Sequence, residues 1–220
     1  MKVLELFAGT RSIGKAFEAA GHEVFSVEWD KKHSGIHLYA DIGELSAQDI
    51  LEAFGKPDVI WASPDCTSYS VAGISHHRRK EPSGNLTPIS DYAKFCDTVN
   101  QHVLELIEEL SPSFYFIENP RGGMRKMSFM EPLPRYTVTY CQYGDSRMKP
   151  TDLWTNHPRP ALKEPCKNGA PCHVAAPRGS KTGTQGIKGS VDRSRIPQEL
   201  CEHIVKICEE ELLHAKANDL

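Results

Sequence analysis

Four short apolar runs, at residues 3–7, 24–28, 59–62 and 114–117, alternate with stretches whose apolar residues recur at helical spacing. That alternation most restricts the fold, because strands separated by helices pair in parallel and must be covered on both faces. The expected helices span residues 13–20, ended by Gly21, residues 46–54, with Ser46 as N-cap and Gly55-Lys56-Pro57 as stop, and residues 91–110. The last carries Tyr92, Phe95, Val99, Val103, Leu106, Ile107 and Leu110 at three- and four-residue steps, a core stripe. The fold class is therefore α/β, a doubly wound, mostly parallel sheet.

After Gly123 the pattern changes. Residues 136–143 alternate like an antiparallel strand, and a cationic turn at 144–151 leads into Leu153-Trp154-Thr155. Prolines, glycines and lone basic residues fill 156–193 without apolar periodicity, which predicts a small irregular lobe. Ile196-Pro197 then opens a helix over 199–213, whose face of Leu200, Ile204, Ile207, Cys208 and Leu212 should dock on the main core. The expected organisation is a main domain at 1–155 plus 194–220 and the lobe at 156–193.

With 220 residues there is room for one core and a satellite. No apolar run approaches the roughly 18 residues of a membrane span, and a core strand begins so soon after Met1 that no leader is expected. Seven scattered cysteines argue for reduced thiols and a cytosolic protein, which makes the Asn85-Leu86-Thr87 sequon a coincidence. The net charge of −3 excludes a binder that works by bulk basicity, so contact with nucleic acid rests on local charge.

In an open α/β sheet ligands bind at the carboxyl ends of the strands. Four groups fall there. Gly9 lies in the turn after the first strand, Glu28 ends the second, Cys66 follows Ser63-Pro64 after the third, and Glu118 follows Ile117 after the fourth. Asp41 sits just beyond a further short extended piece. Strand, glycine turn, helix, strand and acid form the layout of a nucleoside site, and the bulk of Arg11 argues against a pyrophosphate on the turn. The long segment 71–88 contains His76-His77-Arg78-Arg79-Lys80, placed to meet a phosphate backbone.

Taken in order, these pieces resemble the C5-cytosine DNA methyltransferase family, of the compact sort found in phages and prophages. Leu6-Phe7-Ala8-Gly9 resembles its cofactor motif, with Thr10 next in the same turn. Val27-Glu28-Trp29-Asp30 resembles its ribose and adenine contacts, and Asp41-Ile42 its adenine-amino contact. Ser63-Pro64-Asp65-Cys66 resembles the nucleophile turn, with Tyr69-Ser70 beyond it. Glu118-Asn119-Pro120 resembles the Glu-Asn-Val motif, and Ser194-Arg195-Ile196-Pro197 the stretch that returns the last helix.

The resemblance implies a Rossmann-like class I methyltransferase that uses S-adenosylmethionine and acts as a monomer on a cytosine flipped from double-stranded DNA. Cys66 would add to ring carbon C6, Glu118 would protonate or hydrogen-bond N3, and Arg147 or Lys149 would serve the O2 side. Phe7, Ala8, Gly9, Thr10, Glu28, Trp29, Asp41, Ile42 and Pro64 would line the cofactor. Ser70, Asn119, Arg78 and Arg79 would contact the nucleic acid. Two departures stand out: Asp65 replaces the proline before the nucleophile, adding a negative charge that opposes ionisation of the thiol, and the cationic motif is thinned to Arg147-Met148-Lys149-Pro150-Thr151.

Arg178, Lys181, Lys188 and Arg193, spaced by glycines, make a strip suited to phosphate contact or a solvated linker. No metal is expected in the chemistry, but Cys166, Cys172 and His173, with His157 nearby, offer ligands for a structural zinc, at a spacing unlike a standard finger. An RNA cytosine methyltransferase and a catalytically silent DNA-binding relative stay open as alternatives.

Overall fold

In the computed structural model, which describes residues 1–175 and 189–218, the chain order is β1 (Lys2–Leu6), α1 (Ser12–Ala19), β2 (Glu23–Glu28), β3 (Leu38–Tyr39), α2 (Ala47–Ala53), β4 (Val59–Ala62), α3 (Ile74–His77), β5 (Arg78–Lys80), β6 (Leu86–Pro88), α4 (Asp91–Leu110), β7 (Phe114–Pro120), β8 (Arg135–Thr139), β9 (Pro150–Thr155), α5 (Ser190–Ser194) and α6 (Gln198–Asn218). Seven strands form one sheet in the order β3-β2-β1-β4-β7-β9-β8, and β5 with β6 makes a separate hairpin. The five strands β3, β2, β1, β4 and β7 run parallel. No helix among the described residues is long and apolar enough to cross a membrane.

Two apolar layers cover the sheet, as the alternation requires. On one face Leu4, Leu6, Ile60 and Ala62 pack with Ile50 of α2 and with Val103, Leu106 and Leu110 of α4. On the other Val3, Val59, Trp61 and Phe116 pack with Ile13 and Phe17 of α1 and with Leu200, Ile204 and Cys208 of α6. Local signals hold the helix starts. Ser46 caps α2 through a reciprocal box with Asp49, and Ser90 accepts from the Ala93 amide to cap α4.

Register sets the edge on which the candidate residues fall. Leu6 pairs with Val27 on one side and Ala62 on the other, and Ala62 pairs with Ile117, so four parallel strands end level. The residues that follow them, including Gly9, Cys66 and Glu118, are thereby delivered to one rim. β9 runs against β7, with Pro120 opposite Thr151 and Phe116 opposite Thr155, so it is the start of β9 that reaches this rim. Lys149 immediately precedes it.

Two expectations are corrected. The strand expected over 136–143 stops at Thr139, and residues 140–143 form a 3-10 turn. A 3-10 turn eclipses positions three apart, which sends Tyr140 and Tyr143 into the same core layer, whereas an extended strand would send them to opposite faces. Segment 71–88, whose lack of any apolar period reads as one long loop, contains α3 and the β5–β6 hairpin, elements too short to leave a periodic signal.

Candidate active site

The glycine turn after β1 is held by a chain of unusual backbone angles and one carboxylate. Phe7, Gly9 and Arg11 all have positive φ, 57°, 48° and 57°, which folds the chain tightly back toward α1. Glu28 accepts from the Gly9 amide at 2.9 Å with one oxygen and from the Trp29 and Asp30 amides at 3.0 Å with the other. It thus organises the turn. Trp29 beside it is 68% exposed. Asp41 is exposed and accepts from the Gly43 amide at 2.9 Å, whereas Ile42 is buried beneath it. Ala8 is buried, and the Thr10 hydroxyl lies 2.8 Å from that of Ser12.

Arg11 does not crowd the turn as its bulk suggested. Its side chain points into the fold, where Nε donates to Ser26 Oγ at 2.9 Å and the guanidinium pairs with Glu18. The same buried network includes Glu5, which accepts from the Gly14 amide at 2.8 Å and from Ser26 Oγ at 2.8 Å. Burial raises the Glu5 carboxyl above its ordinary range.

The cysteine turn is built on β4 and tied to β7. Asn119 Nδ2 donates to the Pro64 carbonyl at 3.0 Å, fixing the turn against the strand that carries Glu118. Among the described residues, Asn119 Oδ1 is a buried acceptor without a partner. Asp65 accepts from the Thr67 amide at 2.6 Å, and the Cys66 carbonyl accepts from the Tyr69 and Ser70 amides. Ser70 Oγ donates to the Thr67 carbonyl at 3.2 Å and accepts from the Gly73 amide. Gly122 completes the joint: a Cβ there would stand 2.5 Å from the Tyr69 carbonyl oxygen, so only glycine lets β7's exit pass this turn.

Four groups act on one another at the rim. Burial pushes the Cys66 thiol up to about 11, the charges of Asp65 and Glu118 add to the rise, and Lys149 opposes it. Tyr140 Oη donates to Glu118 Oε1 at 3.0 Å. The Lys149 ammonium lies 4.5 Å from the centre of the Tyr140 ring and donates to the Arg193 carbonyl at 3.1 Å. Burial lowers Lys149 below its ordinary value, with Glu118 working against the fall. Its backbone is held at φ 28°, a strained conformation for a residue with a side chain. A thiol, a carboxyl, a phenol and an ammonium so placed can form a covalent bond to an electrophilic ring carbon and stabilise the charge that results.

Two basic residues expected at the site are engaged elsewhere. Arg147 is buried against Asp145, with Nε at 2.9 Å and 3.0 Å from the two carboxylate oxygens, and it also donates to the carbonyls of Asp192 and Arg193. Its charge fastens the chain before α6 instead of standing free, so Lys149 is the cation that acts on Cys66. Arg78 is turned inward, its side chain 0% exposed. It donates to both Asp97 oxygens at 2.9 Å and 2.6 Å and to the Ser68 carbonyl, and it lies 4.2 Å over the Tyr69 ring. Only His76, Arg79 and Lys80 of the five-residue basic run are exposed. Arg79 is paired with Glu81 at 3.0 Å.

Sequence reasoning missed Tyr140 and Asp97. Both lie far along the chain from the groups they hold, and nothing local marks either one. It also misjudged His157, which is buried against Phe114 with Nε2 3.1 Å from the Ile207 carbonyl, apart from the cysteines. Of the basic strip in the lobe, Arg193 is described, and Arg178, Lys181 and Lys188 lie outside the described residues.

Residues 1–128 match the family model for C-5 cytosine-specific DNA methylase. A probable DNA (cytosine-5)-methyltransferase of Frog virus 3 (isolate Goorha) is 32% identical over 230 aligned residues, covering 94% of this chain and 100% of that protein. The type II methyltransferase M.FnuDI of Fusobacterium nucleatum is 27% identical over 135 residues, 57% of this chain and 34% of its own length. Among solved structures, the Entamoeba histolytica methyltransferase EhMeth superposes with a TM-score of 0.51 at 13% identity, over 70% of this chain. The chain spans 52% of that structure's length, and the likeness shows the fold.

Proposed function

The chain belongs to the C-5 cytosine-specific DNA methylase family, and from that premise we propose that it transfers a methyl group from S-adenosylmethionine to C5 of cytosine in DNA through a transient bond from Cys66 to C6. What supports this reading most is that the register puts Cys66, Glu118 and Lys149 at one rim, where β4 and β7 end and β9 begins, with the charges of the carboxylate and the ammonium both acting on the thiol.

The residues at the neighbouring turn fit the cofactor. An adenosyl group needs a face to stack on, an acceptor for its amino group and acceptors for its ribose hydroxyls. Exposed Trp29, the exposed Asp41 carboxylate and Glu28 provide these in turn, with Phe7, Ala8, Gly9, Thr10, Ile42 and Pro64 around them. When bound, the cofactor supplies a sulfonium methyl group.

The chain's own groups do the rest. The Cys66 thiol gives its proton to solvent water, its sulfur pair forms a bond to C6, and the C5–C6 π pair moves onto C5, making that carbon nucleophilic. Glu118 holds or delivers a proton at N3, oriented by the Tyr140 hydroxyl, while Lys149 stabilises charge toward O2. After methyl transfer, loss of the C5 proton restores the double bond and expels the Cys66 sulfur. C6 of a stacked cytosine is out of reach of this rim, so the base is flipped, with Ser70 and Asn119 at the pocket and Arg79 at the backbone. Target reading falls to residues 156–193, including Arg193.

The raised Cys66 thiol gives one rival a specific footing, a silent relative that binds DNA without bonding to it. Incubation with tritiated S-adenosylmethionine and duplex oligonucleotides containing 5-fluorocytosine separates the two, because fluorine at C5 prevents release of the sulfur. A labelled adduct on DNA that vanishes in Cys66→Ala supports methyl transfer. Binding without an adduct supports the silent relative, and an adduct confined to 5-fluorocytosine RNA would reassign the substrate.

A further inference from the structure

Away from the reacting thiol, three other cysteines and a histidine converge. Cys141 follows β8 in the 3-10 turn, and Cys166, Cys172 and His173 come from the segment beyond β9. Cys141 Sγ stands 3.0 Å from Cys166 Sγ and 3.6 Å from Cys172 Sγ. His173 Nδ1 stands 3.6 Å from Cys166 Sγ and 3.5 Å from Cys172 Sγ, and all four ligand atoms lie within 4.8 Å of one another.

We propose that Cys141, Cys166, Cys172 and His173 bind one structural zinc ion. In a tetrahedral centre with Zn–S of about 2.3 Å and Zn–N of about 2.05 Å, sulfur atoms lie about 3.8 Å apart and sulfur lies about 3.6 Å from nitrogen. Both sulfur–nitrogen separations and the Cys141–Cys172 distance are close to those values, and the Cys141–Cys166 pair has to open by less than 1 Å. Groups around the cluster suit thiolates. The Cys166 amide donates to Thr139 Oγ1 at 3.0 Å, holding that residue against β8, and Gln142 Nε2 points at Cys172 Sγ from 3.5 Å. The Gly169 amide now lies 3.3 Å from His173 Nε2, which carries the ring proton once Nδ1 is metal-bound. Zinc binding therefore turns that amide aside and shifts the small loop between Cys166 and Cys172.

A second observation explains why a metal is needed. None of residues 161–175 is buried, so this stretch has no core of its own, yet it is drawn against the sheet. The Lys163 ammonium donates to the Gln142 carbonyl and the Val174 amide to the Ser146 carbonyl. Leu162 packs on the core, the Lys163 amide donates to Tyr143 Oη and the Lys163 ammonium pairs with Glu199, a small return for the entropy of ordering fifteen residues, whereas a bound zinc contributes folding free energy directly. Because β8 ends at the rim that bears Cys66, the ion would secure the approach to the catalytic edge. It takes no part in the chemistry.

The test is metal content of the full chain, purified with a non-chelating reductant. About one zinc per chain is expected. Cobalt-substituted protein should show the thiolate charge-transfer band of a tetrahedral centre. Cys166→Ser should lose at least nine-tenths of the metal, while Cys208→Ala, on the buried face of α6, should keep it. Chelation of the native chain gives a reading independent of any variant's folding: trypsin should cut at Lys163 or Lys167 at least tenfold faster, and zinc chloride should restore protection. A reduced chain that neither carries nor takes up zinc overturns the proposal. So does retention of metal by Cys166→Ser, or a Cys141–Cys166 disulfide in its place.

Discussion

Asp65→Asn isolates the charge that stands next to Cys66, the proposed nucleophile. The Cys66 thiol sits at about 11, with burial first and the Asp65 charge second among the causes, so at pH 8 only about one molecule in a thousand carries the thiolate. Asparagine keeps the oxygen that accepts from the Thr67 amide, so the turn is preserved while the charge goes. Removing a like charge beside a half-buried thiol is worth about tenfold in thiolate fraction. Because a less basic thiolate is also about threefold less nucleophilic per tenfold of acidity, the net gain in rate at pH 8 is about threefold. The assay is modification of Cys66 by a small disulfide reagent, resolved by peptide mass spectrometry from pH 7 to 11.5. The inflection should move down from about 11 and the pH 8 rate should rise. An unmoved inflection, or a slower rate, would refute the claim that Asp65 acts on the sulfur through its charge.

Three further outcomes are expected. Glu118→Gln, which removes the acid but keeps the acceptor for Tyr140, should lower turnover at least a hundredfold with little change in cofactor affinity measured by calorimetry; equal losses in both would remove Glu118 from the role at N3. Arg78→Met should destabilise the protein by about 2 kcal/mol, because the half-buried Asp97 carboxylate loses its charged partner and keeps the Tyr69 hydroxyl, which lowers the melting temperature by about 4–8 °C. Calorimetry that finds a loss under about 1 kcal/mol would mean the pair does not hold the hairpin. Stability should also fall as pH rises above 9. The folded thiols of Cys66, at about 11, and Cys201, at about 12, stay protonated there while those of the unfolded chain ionise, so each contributes a decline of about 1.4 kcal/mol per pH unit up to its folded value. Denaturant titrations at pH 8.5 and 10.5 with equal midpoints would contradict this.

What the sequence disclosed follows from how local each signal is. The helix expected over 91–110 has those limits because its apolar stripe is read within a few residues, and the Ser90 cap seen in the structure is equally local. The same holds for the α2 capping box and for the buried strands that deliver Gly9, Cys66 and Glu118. The partners of those groups were not legible. Tyr140 meets Glu118 across 22 positions, Asp97 meets Arg78 across 19, and Cys141 meets Cys166 across 25, and only the register of β7, β8 and β9 brings two of these pairs together. Charge was misread for a related reason. A basic run says nothing about which member turns inward, and Arg78 does so because Tyr69, Ser68 and Asp97 form a pocket shaped for its guanidinium.

The reversed direction of β9 has a consequence for how such a chain can diversify. Lys149 is positioned by what comes before it in the chain and by hydrogen-bonded neighbours on either flank, Thr139 opposite Pro150 and Pro120 opposite Thr151. The chain leaves β9 at Thr155 on the opposite edge and comes back to this rim at Val174, whose amide donates to the Ser146 carbonyl, and at Arg193, whose carbonyl accepts from the Lys149 ammonium, so the ammonium's address also depends on those two returns. Exchanges beyond Thr155 that keep these two contacts leave the proposed reacting centre in place.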